Sequence, residues 1–249
     1  MRLTIRQMLG GKKIWLLALF LALPILLTLA VLASDGFAND IDDDEVAYAL
    51  LLYLLYPQVL CILASLIYGA SLLAGEIEDK TLVYLFTRRQ ARWRVLLGKY
   101  LTTALVLACM TTISMTISFL LAGAPEGFQL WKALSATTFA ACFAYTAIFA
   151  LLGIALPKRA ITIGLIYAVL VEFVLSLVPA LVNEVTASYY LRSMAFHIAD
   201  LPLPDEVVAI VGNASQTTSL VAVIVIPALA LLVSACVIHR REWPLTEGV

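Results

Sequence analysis

Six apolar runs, at about residues 14–32, 47–73, 100–121, 133–156, 161–182 and 219–238, constrain this chain more than any other feature. Crossing roughly 30 Å of hydrocarbon takes about 20 apolar residues in a helix. Inside lipid the backbone must satisfy its own polar groups, so runs of this length are expected to be helices. Only 13% of the residues are charged, against about a quarter in an ordinary soluble domain. The expected fold class is therefore all-α integral membrane, with six transmembrane helices in a single domain over residues 1–249 and no second folded domain.

The charges lie asymmetrically about those runs. Arg2, Arg6, Lys12 and Lys13 precede the first. Lys80, Arg88, Arg89, Arg92, Arg94 and Lys99 separate the second from the third. Lys158 and Arg159 separate the fourth from the fifth, and Arg240 and Arg241 follow the sixth. Fourteen of the sixteen basic residues thus fall on one side, leaving Lys132 and Arg192 on the other, which carries Asp35, Asp40, Asp42, Asp43, Asp44 and Glu45 in its first loop. Basic residues are retained in the cytoplasm, so both termini are expected there. The lipid bilayer is the expected environment, and no nucleic-acid partner is expected.

The first run begins after basic residues and ends at Val31-Leu32-Ala33, as a signal peptide does. Its apolar part exceeds the usual 7–15 residues of a signal core, so a retained span is expected. Residues 1–9 place Ile5, Met8 and Leu9 opposite Arg2 and Arg6, then break at Gly10-Gly11. Two readings fit, an N-terminal interfacial helix and a frayed basic tail. Pro57 should kink the second span or mark its exit from the outer leaflet. Tyr48, Tyr53 and Tyr56 suit an aromatic belt there. Further along, Ser65, Gly69, Ala70, Ala74 and Gly75 give small residues four apart, as do Ala136, Ala140 and Ala144 in the fourth span; this spacing permits close helix approach. The hydroxyls of Thr111, Thr112, Ser114, Thr116 and Ser118 in the third span can bond back to their own helix, so packing is the expected role and lining a polar path the alternative. The outer loop, about 183–218, mixes apolar stretches with Pro202, Pro204 and acids, and short helices resting on the outer membrane face are expected.

No catalytic constellation is visible. Gly98-Lys99 lacks the upstream glycine and following hydroxyl of a Walker A phosphate loop. His197 and His239 fall on opposite sides of the membrane, and no metal site or bound cofactor is expected. Cys61, Cys109, Cys142 and Cys236 all lie inside spans and read as small apolar fillers. One ionisable residue, Glu172, sits near the middle of the fifth span, where an unpaired carboxylate is costly. No basic residue on its own helix can pair with it. A structural hydrogen bond to another span, the lining of a substrate route and proton coupling all remain open readings.

Between spans two and three, Leu82, Leu85, Phe86, Trp93, Leu96 and Leu97 keep helical phase, with Arg88, Arg92 and Lys99 on another face. Glu76, Glu78 and Asp79 come first, where negative charge favours a helix start. An interfacial helix and a docking helix for a soluble partner fit this pattern equally. The motif Glu76-x-Glu78-x-x-Thr81-Leu82-x-x-Leu85, followed by Thr87-Arg88, Arg92-Trp93 and Gly98-Lys99, resembles the signature of six-span type-2 ABC transporter permeases. Glu172, Ser176-Leu177-Val178-Pro179 and Ser188-Tyr189-Tyr190-Leu191-Arg192 form a second, weaker match. The chain departs from many of those relatives in having Arg89-Gln90 where they have proline, which implies a softer break after Arg88.

The resemblance implies a permease subunit of an ATP-driven exporter in the cell inner (plasma) membrane. Its partners would be a separate ABC ATPase subunit, which would hold ATP and Mg, and a second permease copy or homologue. The coupling segment would be about 75–97 and include Thr81, with Leu82, Leu85 and Phe86 packing into the ATPase and Glu76, Glu78, Arg88 and Arg92 setting charge register. A membrane scaffold that recruits a cytoplasmic partner, and a Glu172-dependent secondary transporter, are the rival readings.

Overall fold

A computed structural model describes residues 13–33, 45–78, 92–122, 127–176, 184, 186–199 and 214–240. Within them the chain is helical, and no strand occurs among the described residues. Helix α1 spans Lys13–Ala33. Helix α2 runs from Glu45–Tyr53 through a π-helical stretch, Leu54–Leu60, into Cys61–Glu78 without a break. Helices α3 and α4 are Arg92–Leu121 and Gly127–Ala155. After a 3₁₀ turn at Pro157–Arg159, α5 runs over Ala160–Tyr167 and continues as π-helix over Ala168–Leu175. Helices α6 and α7 are Ala187–Ala199 and Gln216–Arg240.

Four of these are long and apolar enough to cross a membrane: Ala49–Gly75 within α2, Trp93–Leu121, Phe128–Ala155 and Gln216–Arg240. Helix α1 supplies a shorter apolar stretch, Leu17–Ala30. The α3 helix of 30 residues is about 45 Å long at 1.5 Å per residue, longer than the hydrocarbon layer. It starts at Arg92, two turns before the apolar run at Tyr100. Those two turns carry Trp93, half exposed, with the Arg94 guanidinium 5.5 Å from its ring centre. A second aromatic group begins α4, where Phe128 stacks on Trp131 at 5.4 Å and Lys132 lies 5.1 Å from the Phe128 ring centre. Aromatic and basic side chains at helix ends suit the polar–apolar boundary of a bilayer.

Helix α4 is the axis of the bundle, packing against α2, α3, α5, α6 and α7. From Ala141 to Ala150 all its side chains except that of Phe143 are buried. A helix that is apolar on all sides belongs in the centre of an assembly, and its many alanines let neighbours come close. The tightest neighbour is α2. A Cβ built on Gly153 would lie 2.2 Å from the carbonyl oxygen of Ala70, and one on Gly69 would lie 3.1 Å from that of Thr146. The small residues of α2 are therefore used inside the chain, against α4. The outward faces of α1, α5 and α7, including Leu19, Leu26, Ile161, Leu170, Ile224 and Leu232, are exposed and apolar, as a lipid-facing surface should be.

Pro57 does not end the second span. It lies within the π-helical stretch Leu54–Leu60 of a helix that continues on both sides. Proline lacks the N–H for an i−4 bond and its ring crowds that carbonyl, and a widened turn accommodates both. The turn also carries Tyr56, whose hydroxyl reaches α3: it donates to the carbonyl of Ser114 at 3.0 Å and lies 2.6 Å from Ser118 Oγ. Ser114 Oγ in turn donates to the carbonyl of Leu21 in α1 at 2.9 Å. Of the five hydroxyls expected to bond back, Thr111 and Thr116 do so, to the carbonyls of Leu107 and Thr112, whereas Ser114 and Ser118 meet α1 and α2 and the Thr112 hydroxyl makes no hydrogen bond. Tyr56→Phe should cost about 1 kcal/mol, the scale of interhelical hydrogen bonds in membranes. Denaturant titration of the reconstituted protein reads this directly, and an unchanged midpoint would mean that the hydroxyl contributes nothing.

Candidate functional site

The π-helical half of α5 brings Glu172 to the centre of a polar cluster closed off from solvent; its relative exposure is 0%. Four donors converge on its two carboxyl oxygens. The Tyr167 hydroxyl donates to Oε1 at 2.9 Å, and the backbone N–H of Ala187 donates to the same atom at 3.4 Å. The N–H of Ser188 donates to Oε2 at 3.0 Å, and the Tyr145 hydroxyl approaches it at 3.3 Å. Donors on every side and no competing acceptor suit an acceptor-only carboxylate.

Ala187 and Ser188 open α6, so Glu172 caps a helix to which it is not contiguous. Thr186, the residue before that helix, accepts the N–H of Tyr189 at 3.3 Å. Between them, Thr186 and Glu172 satisfy three of the four N–H groups that a helix start leaves without intrahelical partners. A negative group also opposes the positive end of the α6 dipole.

Gln58, inside the widened turn of α2, ties the same point to a third element. Its Nε2 donates to the carbonyl of Glu172 at 2.7 Å, while its Oε1 accepts from Ser188 Oγ at 2.5 Å. The Tyr145 hydroxyl lies 3.1 Å from Ser188 Oγ, so its one proton is shared between that oxygen and Glu172. Tyr53 of α2 donates to the Ser188 carbonyl at 3.2 Å. Arg192, one turn further along α6 and buried, donates from Nη2 to the carbonyl of Ser176 at 2.9 Å. Helices α2, α4, α5 and α6 are thereby joined through one carboxylate and its neighbours. Both π-helical stretches carry a polar member of the cluster, Gln58 in one and Glu172 in the other. Among the described residues no group of three or more histidines, cysteines and acids could hold a metal ion.

Helix α6 differs from the short surface helices expected of the outer loop. Ala187, Ser188, Leu191, Arg192, Ser193, Met194, Ala195, Phe196 and Ala199 are all buried, against α4 and α7. Phe196 meets Tyr53 at 6.3 Å between ring centres. Besides the apolar face, two polar exchanges permit the insertion: Glu172 of α5 accepts from the first N–H groups of α6, and Arg192 of α6 donates to the Ser176 carbonyl.

At the opposite end of the bundle, Leu73 of α2, Leu96 of α3, Ile154 of α4 and Ile238 of α7 form one apolar cluster. Leu96, part of the helical repeat that fits an interfacial or a docking helix, is thus 1% exposed and belongs to the bundle. Glu76 and Glu78 lie in the last turn of α2 and Arg92 opens α3. Thr81, Leu82, Leu85, Phe86 and Arg88 lie outside the described residues, as does the N-terminal stretch 1–9.

Glu172 was singled out from the sequence, and Ser176, Ser188 and Arg192 belonged to the weaker of the two matching motifs. Gln58, Tyr53, Tyr145, Tyr167 and Thr186 were missed as site residues. Gln58 did carry a signal, as a lone amide following a proline in an apolar run. The tyrosines carried none, because nothing local separates an interfacial or core tyrosine from one that ends on a carboxylate.

Residues 19–243 match the family model described as a protein of unknown function, DUF2705. No curated protein matches the chain.

Proposed function

The chain belongs to the DUF2705 family of proteins of unknown function, and we propose that it is the membrane-spanning permease subunit of an ATP-driven ABC exporter. The proposal includes six spans, with α1 and α5 joining the four long apolar helices, and both termini in the cytoplasm of a cell bounded by this inner (plasma) membrane. It assigns no catalytic step to this chain. ATP and Mg are held by a separate ATPase subunit, and a second permease copy or homologue completes the pathway.

One observation carries the reading. The charged segment 79–91 is bracketed by α2 and α3, and both helices end in the same apolar cluster of Leu73, Leu96, Ile154 and Ile238. A force applied to that segment by a soluble partner would reach α2, α3, α4 and α7 together. Close-packed interiors transmit such displacements rather than absorb them. The resemblance of Glu76, Glu78, Thr81, Leu82, Leu85, Phe86, Arg88 and Arg92 to a coupling motif supplies the identity of the partner. The saturated bonding of Glu172 favours a structural carboxylate over the coupling group of a secondary transporter.

Recovery of the tagged chain from its native membrane in mild detergent should bring down a stoichiometric nucleotide-binding subunit with ATPase activity. Recovery without any ATPase, under conditions that keep other ABC complexes intact, would favour the scaffold reading. Reversing charge with Arg88→Glu and Arg92→Glu should prevent assembly with the ATPase or separate hydrolysis from transport. Normal assembly, hydrolysis and transport by that double variant would remove these arginines from the coupling role.

A further inference from the structure

One face of α4 is left uncovered by its neighbours. Helices α3 and α7 both pack on α4 and meet over the half of it that ends at Ala155. There Tyr100 and Ala104 of α3, Ala230 of α7 and Ala147 of α4 are buried together, with Phe143 packed against them. The Tyr100 ring meets Phe143 edge-on at 6.2 Å, and its hydroxyl donates to the Phe143 carbonyl at 3.0 Å. From Phe143 toward the start of α4, Phe139, Ala136 and Lys132 follow at spacings of four, three and four residues, which puts them on one side of the helix. All three are exposed, whereas the other sides are buried, at Ala133, Leu134, Thr137 and Cys142. The uncovered face is a furrow between α3 and α7, closed at Phe143 and open at Lys132. Its floor is apolar, with the Phe139 and Phe143 rings stacked at 5.1 Å. Helix α3 still flanks the mouth, where the Trp131 indole N–H donates to Thr116 Oγ1 at 3.2 Å. At 1.5 Å per residue, Lys132 to Phe143 measures about 16 Å, half of a hydrocarbon layer of roughly 30 Å.

We propose that this furrow seats one acyl chain of an anionic phospholipid, with the headgroup phosphate on the Lys132 ammonium. Length selects the chain. A lipid anchored at the edge of the hydrocarbon reaches the middle of the bilayer, which is where the furrow closes. Charge selects the headgroup. At this end of the bundle Lys132 and Arg192 are the described basic residues, and Arg192 is buried. An anion arriving on the acid-rich side of the chain therefore meets one exposed cation. The Phe128 ring, 5.1 Å from Lys132 Nζ, holds that cation at the mouth through its π face. The outward faces of α1, α5 and α7 are apolar without a described cation at that end, and they contact lipid without choosing among headgroups. The seat does not depend on the transport reading, because it requires only the packing of α3 and α7 on α4.

The test uses the full chain in phosphatidylcholine nanodiscs containing a minor fraction of phosphatidylglycerol with a photoreactive diazirine at the end of one acyl chain. Phosphatidylcholine carrying the same group is the comparison, and labelled peptides are mapped by mass spectrometry. The anionic probe should label the stretch containing Phe139 and Phe143 about fivefold more than the zwitterionic one, the effect of one basic residue on an anionic lipid. Lys132→Gln should abolish that preference and leave labelling of α5 around Leu170 unchanged. Ala136→Trp fills the furrow and keeps the ammonium, and it should remove label from Phe139 and Phe143 with both probes. Lys132 and Ala136 are exposed, so neither variant disturbs a buried contact. Equal labelling by the two probes, or the same preference on α5, would mean bulk lipid only and overturn the proposal. So would a preference that survives Lys132→Gln, or a furrow that stays unlabelled because a second copy of the chain covers it.

Discussion

Glu172→Gln should destabilise the protein by about 2–4 kcal/mol, although it changes one atom and leaves the side-chain volume almost unaltered. The amide would present a carbonyl oxygen to one half of the donor set and an NH₂ group to the other. The hydroxyls of Tyr145 and Tyr167 can turn and accept from that NH₂, because a hydroxyl is both donor and acceptor. The backbone N–H groups of Ala187 and Ser188, which now bond to Oε1 and Oε2, cannot. One of them is left facing another donor, and a buried N–H without a partner costs about 1–3 kcal/mol. Loss of the negative group at the start of α6 adds up to about 2 kcal/mol.

The damage should be local before it is global. Helix α6 is held to the bundle through Glu172, Gln58, Tyr53 and Arg192, so its release should precede loss of the spans. Hydrogen exchange over residues 187–199 should rise in Glu172→Gln at denaturant concentrations where α4 stays protected. If exchange in α6 and the unfolding midpoint both matched the parent, the carboxylate would be a passenger in the cluster. Gln58→Leu offers a second reading, because it removes the donor to the Glu172 carbonyl and the acceptor of the Ser188 hydroxyl together. It should weaken α6 in the same way while leaving the cap intact.

Gly153→Ala should be as damaging as any single substitution in the spans, at about 3 kcal/mol or more. The added methyl would meet the carbonyl oxygen of Ala70 at 2.2 Å, its carbon at 2.9 Å and its Cα at 3.1 Å. All three atoms belong to backbone within a helix, so no side chain can turn aside, and α2 and α4 must move apart. The same substitution at Gly164 meets Leu66 Cδ1 at 2.3 Å, the far end of a flexible side chain, and should cost less. Gly75 and Gly98 have nothing within 4 Å of a built Cβ, and alanine there should be neutral or stabilising by up to about 1 kcal/mol through helix propensity. The order of unfolding midpoints across these four variants is the measurement. A Gly153→Ala protein as stable as Gly75→Ala would mean that the α2–α4 crossing is loose.

The glycine result bears on the proposed transport cycle. If α2 and α4 are locked at Gly69, Ala70 and Gly153, a stroke delivered through segment 79–91 moves them as one body. The motion then falls on contacts made elsewhere, and the small-residue face of α2 is a pivot rather than a sliding surface. The site at Glu172 sits on the other side of that pivot from the segment, with Tyr145 of α4 and Gln58 of α2 as the rigid part of its wall.

Much of this architecture was open to reading from one dimension because lipid imposes a local rule. A run of about 20 apolar residues must be a helix wherever it lies in the chain, so the positions of α2, α3, α4 and α7 follow from composition along the sequence. The back-bonding of Thr111 and Thr116 is local in the same sense, as a hydroxyl reaches the carbonyl four residues before it. The singularity of Glu172 was also visible, since a carboxylate in an apolar run stands out without any knowledge of its neighbours.

Its partners were not visible, because they come from sequence positions 58, 145, 187 and 188, and only packing brings those together. The same holds for Cys61 and Cys142, which the sequence presents as separate apolar fillers and the bundle places in contact. Leu96 keeps the periodicity of an interfacial or docking helix yet is buried within the bundle, since period records which face is apolar and not what covers it. The mixed residues of α6 read locally as those of a surface element. The burial of α6 combines an apolar face, Leu191, Met194, Ala195, Phe196 and Ala199, with a carboxylate on another helix that satisfies its first N–H groups. The sequence alone determined which segments must be helical and where charge may not be buried. The tertiary structure decided which polar groups pay for one another's burial, because hydrogen bonds between helices depend on distance in space and not along the chain.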